Sequence, residues 1–390
     1  MATFAAVITG KGTGAIASIA LYGPGAAYII GRIFKPRSKS DKSFAAGEVI
    51  LGEICDGNTA IDQVLIGCEE PEHFAINCHG NPLIVADIMR LLQKHDAQTL
   101  SSEQLLVQLL MRSGESGTIA IEAKLAVAHA KTLEATRTII YQADEGLNRT
   151  ATGWLENPEL KTIQAQAEDI LQHSIAARPL LFGAKIVLAG PPNSGKSTLL
   201  NFLAGKQKAI VTELEGTTRD WVSAECVLGR IYADVIDTCG IDRRLFSDGK
   251  TIEKIAQQKA KELLATADLI LLVLDANAQV QESLTFFAEI LAGKKGLAVL
   301  NKVDLPVRFD TSQLPQNLNK AVSISAKFAT GCDQLVHSIE QILGAENLDH
   351  TQSLCFTARQ EQILQQITAA KDKEQAVSAV SELLNGRLGV

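Results

Sequence analysis

The sequence predicts a multidomain fold: a doubly wound α/β domain with a phosphate-type loop, inserted in an all-α helical domain and preceded by an α+β domain. Three patterns predict it. Short apolar runs at 184–189, 231–236, 269–275, 297–300 and 321–324 alternate with helix-periodic stretches. Ala-rich helical periodicity precedes them from about Gly117 to Ala177 and returns from Leu354 to Leu384. Strand-like runs at 15–21, 48–54 and 61–66 mark the first 115 residues. The expected boundaries are 1–115, 116–180, 181–347 and 348–390, the second and fourth segments packing as one helical domain. A chain of 390 residues has room for two or three domains.

Along the chain, Ala15 to Ile30 is apolar but broken by Gly23-Pro24-Gly25, and no basic leader precedes it. It reads as strand, turn and helix rather than a signal peptide. No stretch is long and apolar enough to span a membrane. The seven cysteines (55, 68, 78, 226, 239, 332, 355) have no C-x-x-C spacing. Scattered thiols fit a reducing cytoplasm and argue against disulfide or zinc frameworks. A net charge of −7 does not suggest a nucleic-acid-coating protein, although it is compatible with a local basic patch. His73 and His79 flank Cys78, and Glu69, Glu70 and Glu72 lie close by. The first group reads as structural rather than metal-binding, the second as a solvated loop rather than a catalytic acid. Helical breakers after Gly117 are few: Gly146, Gly153 and Pro158. Trp154 and Trp221 lack the basic surroundings of a nucleic-acid platform.

The insert opens with Lys185 to Ala189, a buried-strand pattern, then Gly190-Pro191-Pro192-Asn193-Ser194-Gly195-Lys196-Ser197-Thr198, then the helical start Leu199, Leu200, Phe202, Leu203. Strand, G-x-x-x-x-G-K-[ST] and helix in this order form a phosphate-binding loop. The glycines let successive N–H groups face an anion, and the helix N-terminus adds partial positive charge. Lys196 is placed to reach β- and γ-phosphates, and Ser197 to ligate Mg²⁺. Asp237-Thr238-Cys239-Gly240 follows the apolar run 231–236. Its acid can hold Mg²⁺ through water, and its Gly admits a backbone N–H to the γ-phosphate.

Asn301-Lys302-Val303-Asp304 follows Leu297 to Leu300. Asp304 can accept from the N1–H and N2–H₂ edge of guanine, a donor pair that adenine lacks. Lys302 is expected along the base, and Asn301 is expected to tie loops together. Ser325-Ala326-Lys327 would set a backbone N–H near guanine O6. Between the first two motifs lies Glu215-Gly216-Thr217-Thr218-Arg219-Asp220. A Thr hydroxyl there can complete a Mg²⁺ shell while γ-phosphate is present. Ile241 stands where a water-orienting Gln could follow Gly240.

These motifs, in this order, resemble the MnmE/TrmE family of tRNA-modification GTPases. The resemblance covers most of the chain and is strongest in the insert, read as a P-loop GTPase domain inserted in the helical domain. It implies GTP hydrolysis to GDP and phosphate, stimulated by K⁺ through dimerisation of the GTPase domains. Catalytic roles then fall to Lys196, Thr218, Asp237 and Gly240. The GTP-lining set is Asn193, Ser194, Gly195, Lys196, Ser197, Thr198, Thr212, Glu213, Leu214, Glu215, Gly216, Thr217, Thr218, Asp237, Thr238, Cys239, Gly240, Asn301, Lys302, Val303, Asp304, Ser325, Ala326 and Lys327. The family's Mg²⁺ ligands match Ser197 and Thr218. Its K⁺ ligands match Asn193, Thr212, Leu214 and Thr217, the middle two mostly through backbone oxygen. The resemblance further implies a homodimer that works in the cytoplasm on wobble uridines of tRNA with an MnmG-type flavoprotein.

The sequence also departs from the family. Thr9, Gly12, Gly14 and Gly23 echo its glycine-punctuated opening, but Ala20 stands where Arg is expected. His79-Gly80 is followed by Asn81 instead of a second Gly, and Pro71 and Ala75 replace acids near Glu72. The family's Phe-Leu-Asn-Gly-Lys segment has no counterpart around Met111 to Gly117. Residues 1–115 are therefore expected to keep the dimerising, folate-binding-like fold, while these changes argue against folate itself. The family's terminal Phe-Cys-Ile-Gly-Lys is not matched by Gly386-Arg387-Leu388-Gly389-Val390, and the last cysteine is Cys355. Thr251 aligns where a catalytic Glu is expected; Asp248 or Glu253 could substitute, but each reads as solvated, so hydrolysis is expected to be slow. The alternative reading is a divergent paralog, a GTP-dependent conformational switch or assembly factor without modification chemistry.

Overall fold

The computed structural model describes residues 2–10, 14–37, 44–112, 114, 117–156, 159–205, 211–213, 222–237, 262–278, 284, 287–288, 291–314, 318, 320–346 and 348–388. Two compact units divide the chain, Met1–Ser116 (with Leu388–Val390) and Gly117–Arg387.

The first unit holds strands β1 (Thr3–Val7), β2 (Ile16–Tyr22), β3 (Phe34–Pro36), β4 (Val49–Asp56), β5 (Thr59–Glu70), β6 (His73–His79) and β7 (Ala97–Thr99). Its helices are α1 (Ala26–Ile33), α2 (Pro82–Lys94) and α3 (Ser102–Arg112). The sheet runs β3-β4-β5-β6-β2-β1-β7, antiparallel except for the β1/β7 pair. Period-two alternation sends Ile19 and Leu21 of β2 and Phe74, Ile76 and Cys78 of β6 into a core shared with Ile30 and Ile33 of α1 and Ile88 and Leu92 of α2. Asn81 caps α2 by accepting from the Leu83 N–H, and Pro82 fills its first turn, where its missing donor costs nothing. The same alternation turns Cys78 away from His73 and His79. Those histidines pair separately, His73 with Glu69 at 3.0 Å and His79 with Asp62 at 2.7 Å. Glu72 is not merely solvated: it meets Arg112 at 3.1 Å.

The second unit begins with α4 (Thr118–Val127), α5 (Leu133–Asp144), α6 (Leu147–Glu156) and α7 (Leu160–Phe182). Helix α7 outruns its expected end near 177–180: it continues through Pro179 and stops at Gly183, whose φ of +84° lies in the left-handed region that favours glycine. Then follow β8 (Ala184–Ala189), α8 (Lys196–Gly205), β9 (Val211–Glu213), β10 (Val222–Leu228), β11 (Ile231–Asp237), β12 (Leu269–Asp275), β13 (Gly296–Asn301) and β14 (Ala321–Ser323). Helices α9 (Cys332–Leu343), α10 (Ala358–Thr368) and α11 (Lys373–Asn385) close the chain. Residues 354–357, expected to be helical, lie outside any helix, and Thr357 has extended dihedrals. Thr357 caps α10 and Asp372 caps α11, each accepting from a backbone N–H.

The sheet order is β14-β13-β12-β8-β11-β10-β9, parallel from β14 to β11 and antiparallel beyond. Central strands of a parallel sheet are covered on both faces, which explains the unbroken apolar run of β12. Ile186 and Leu188 of β8 join Leu199, Leu203, Leu335 and Ile339 on one face. Val187 and Ala189 join Leu272, Leu274 and Phe287 on the other. A separate core joins Ile119, Ile139, Trp154 and Ile170 to Leu364, Val380 and Leu383, so α4–α7 pack with α10 and α11. Within it the buried Glu122 carboxylate accepts from Arg359, Gln360 and Thr357. At the tip of the β10/β11 hairpin, Arg230 donates to the carbonyls of Ala345 (3.0 Å), Glu346 (3.3 Å) and Leu348 (3.1 Å), where the chain leaves α9. Among the described residues no helix is long and apolar enough to cross a membrane.

Candidate nucleotide site

The parallel strands end on one edge, and their C-terminal ends carry the motif residues. Between β8 and α8 the loop turns at Gly190 (φ +143°) and Gly195 (φ +95°). A Cβ on Gly190 would strike the Val273 carbonyl of β12, and one on Gly195 would strike the Asn301 amide, so both positions need glycine. Asn193 also takes a left-handed backbone, φ +62°, which its short amide tolerates. Lys196 is buried, and its ammonium donates to the carbonyls of Gly190 (3.1 Å) and Pro191 (2.9 Å). Thr198 lies exposed in the first turn of α8.

The Ser197 hydroxyl donates to Asp237 Oδ2 at 2.5 Å. Asp237 is 1% exposed, and its Oδ1 has no partner among the described residues. A hydroxyl and a buried carboxylate oxygen of this kind fit a small hard cation held by oxygens and water, as Mg²⁺ is.

On the base side, Asn301 is 2% exposed and bridges two loops. Its Nδ2 donates to the Ser194 carbonyl at 3.0 Å, and its Oδ1 accepts from the Ala326 N–H at 3.0 Å. Lys302, at φ +68°, sends its ammonium to the Asn193 carbonyl (2.6 Å) and to Asp275 Oδ2 (2.7 Å). The Val303 N–H donates to the Ile324 carbonyl at 3.2 Å. Asp304 is exposed and accepts from the buried Ser325 hydroxyl at 2.6 Å. Lys327 is exposed, with its ammonium 5.1 Å from the Phe328 ring centre. The phosphate loop, Asp237 and both base-side loops thus occupy one sheet edge.

Thr212 and Glu213 lie in β9, in register with Ser223 and Val222. Leu214, Glu215, Gly216, Thr217, Thr218, Thr238, Cys239, Gly240, Asp248, Thr251 and Glu253 lie outside the described residues, as does Trp221. Sequence reasoning missed Asp275, which has no motif of its own. The available signal was an acid closing the most apolar strand.

Comparison with known proteins decides the family. The family description "GTP-binding protein TrmE N-terminus" matches residues 3–104, and "50S ribosome-binding GTPase" matches 185–302. The tRNA modification GTPase MnmE of Thermoanaerobacter sp. (strain X514) is 30% identical over 420 residues, spanning 97% of this chain and 90% of that protein. The chain belongs to the MnmE/TrmE family of tRNA-modification GTPases. MnmE of Lactobacillus delbrueckii subsp. bulgaricus is 28% identical, covering 98% of this chain and 89% of its own. Among solved structures, the G domain of the T. maritima FeoB iron transporter is 27% identical, with 41% of this chain and 98% of that one aligned at a TM-score of 0.34. This MnmE-family chain is a GTP-binding protein and a GTPase, and Mg²⁺ use goes with that class.

Proposed function

We propose that this chain binds GTP between the phosphate loop and Asp304, hydrolyses it slowly with Mg²⁺ and K⁺, and uses the cycle in tRNA wobble-uridine modification beside an MnmG-type flavoprotein. The observation that carries the nucleotide reading is the Asn301 bridge, which joins the Ser194 carbonyl of the phosphate loop to the Ala326 N–H of the base loop. The tRNA role rests on the relatives named tRNA modification GTPase MnmE.

In this reading Lys196 leaves the Gly190 and Pro191 carbonyls for the β- and γ-phosphates. Ser197 and Asp237, already in contact, would hold Mg²⁺ together with Thr218. The ion when bound neutralises charge on the phosphate oxygens. Gly240 brings a backbone N–H to the γ-phosphate. Asp304 accepts the guanine N1–H and N2–H₂ pair, and Lys302 lies along the base. Asn193, Thr212, Leu214 and Thr217 form the K⁺ site. Thr251 lacks a carboxylate to orient water, a loss of about 10² to 10⁴ in rate. The GTPase, about 181–347, is an insert in a helical domain of 116–180 and 348–390, which the shared core of α4–α7 with α10 and α11 supports. Residues 1–115 mediate a homodimer, and Ala20 and Asn81 argue against folate there. The six described cysteines are free thiols, which fits a cytoplasmic setting.

Two measurements test this. By calorimetry Asp304→Asn should lose GDP and gain xanthosine diphosphate, whose O2 accepts where guanine donates; equal wild-type affinity for ATP and GTP would overturn the base assignment. Single-turnover phosphate release should be feeble, faster in KCl than in NaCl, and partly restored in Thr251→Glu. Fast turnover indifferent to both changes would sink the mechanism.

A further inference from the structure

The turn Asp275-Ala276-Asn277, at the C-terminal end of β12, belongs to none of the nucleotide motifs, yet it holds the base loop at several points. The Ala276 N–H donates to the Asn301 carbonyl at 2.8 Å, and the Ala276 carbonyl accepts from the Arg308 N–H at 2.8 Å. Asn277 Nδ2 donates to the Pro306 carbonyl at 2.7 Å. Asp275 divides its carboxylate. Oδ1 accepts from the Asn277 N–H at 2.9 Å and shapes the turn, while Oδ2 takes the Lys302 ammonium at 2.7 Å. Both side chains of that pair are about two-thirds covered, at 27% and 32% exposed, so water competes with it less than at an open surface.

We propose that Asp275 is a positioning residue for guanine nucleotides, acting through Lys302. The reading rests on the guanine site proposed above. A lysine side chain has four freely rotating bonds, and one carbonyl contact does not fix its stem. Two acceptors on different elements do: the Asn193 carbonyl on the phosphate loop and the Asp275 carboxylate on β12. The stem between these anchors and the Lys302 backbone is then held where the base must lie. The ammonium makes both bonds charge-assisted, but only the carboxylate adds a full opposite charge, so it is the stronger anchor.

The test is a double-mutant cycle on the full chain, read as equilibrium GDP binding at fixed Mg²⁺. Asp275→Asn is nearly isosteric and keeps the Oδ1 acceptor for the turn, but removes the charge facing Lys302. It should weaken GDP about tenfold in the wild-type background, as expected for loss of one charge-assisted bond. In the Lys302→Met background the same substitution should cost less than about twofold, because the partner through which it acts is gone. A purely structural role would give equal losses in both backgrounds, and that result, or no loss in the wild-type background, overturns the proposal. If Lys302→Met by itself leaves GDP affinity unchanged, the guanine reading fails and takes this inference with it. That outcome is distinguishable from failure of Asp275→Asn when Lys302→Met does weaken binding.

Discussion

Replacing Asn301 with alanine should separate the two halves of the proposed nucleotide site, and the size of the effect follows from what the side chain holds. Its amide nitrogen donates to the Ser194 carbonyl and its oxygen accepts from the Ala326 N–H, each at 3.0 Å, with the residue 2% exposed. Asn301→Ala leaves one buried carbonyl and one buried N–H unpaired, at about 1–3 kcal/mol each. Some of that relaxes in the nucleotide-free protein, where the loops can part and admit water. Binding must then restore the original spacing, so about 2–4 kcal/mol should appear as lost GDP affinity, roughly 30- to 700-fold. Asn301→Asp sharpens the reasoning. It keeps an acceptor for the Ala326 N–H but sets a carboxylate oxygen against the Ser194 carbonyl, so it should bind no better than the alanine variant. Calorimetric GDP titration, with melting curves of nucleotide-free protein as the folding control, reads both. GDP affinity within twofold of wild type in Asn301→Ala would refute the bridge as the organising contact.

In the helical core, Arg359→Ala strips two 2.8 Å charge-assisted bonds from Glu122, which is 4% exposed. A buried carboxylate left without its cation should cost about 3–5 kcal/mol in urea unfolding, and a loss below about 1 kcal/mol would show that the pair contributes little. Burial, reinforced by Glu225 and opposed by Lys185, pushes the Asp234 carboxyl above its ordinary 3.8. A carboxyl with a raised folded pKa weakens the fold progressively as pH rises from the unfolded value through the folded one. Asp234→Asn should therefore raise the melting point at neutral pH, with the gain vanishing near about pH 3.5; an equal gain at both pH values would exclude titration as the cause.

What the sequence disclosed and what it hid follow from the physics of each element. The phosphate loop and the Asn301 to Asp304 stretch were legible because their chemistry demands particular residue types at fixed spacing. Gly195 and Asn301, 106 residues apart in the chain, meet so closely that no Cβ fits between them. Strand β12 declared itself by an unbroken apolar run. Strand β6 has no such run: its inward Phe74, Ile76 and Cys78 alternate with His73, Asn77 and His79, the shorter-range period-two signal of a half-buried strand. Strand β1 is five residues long and rich in alanine, a poor strand signal. Leu354, Cys355 and Phe356 are apolar enough to suggest helix, yet they are buried in the helical core outside any helix, before Thr357 caps α10. The role of Asp275 was invisible for another reason: its partner lies on the neighbouring strand's loop, and nothing in its local sequence marks the pairing.

The Arg230 clasp has a consequence for how this part of the chain can change. Its guanidinium meets three main-chain oxygens, those of Ala345, Glu346 and Leu348, and no side chain of that stretch takes part in those three bonds. The stretch therefore contributes its path rather than its composition. Substitutions there leave the clasp standing as long as the three carbonyls keep their course. The demand falls on a single codon, since lysine offers one compact amine where arginine offers a rigid fork able to span carbonyls three residues apart. The clasp thus fixes Arg230 by its side chain and the facing stretch only by its course, while burial separately constrains Ala345 and Leu348.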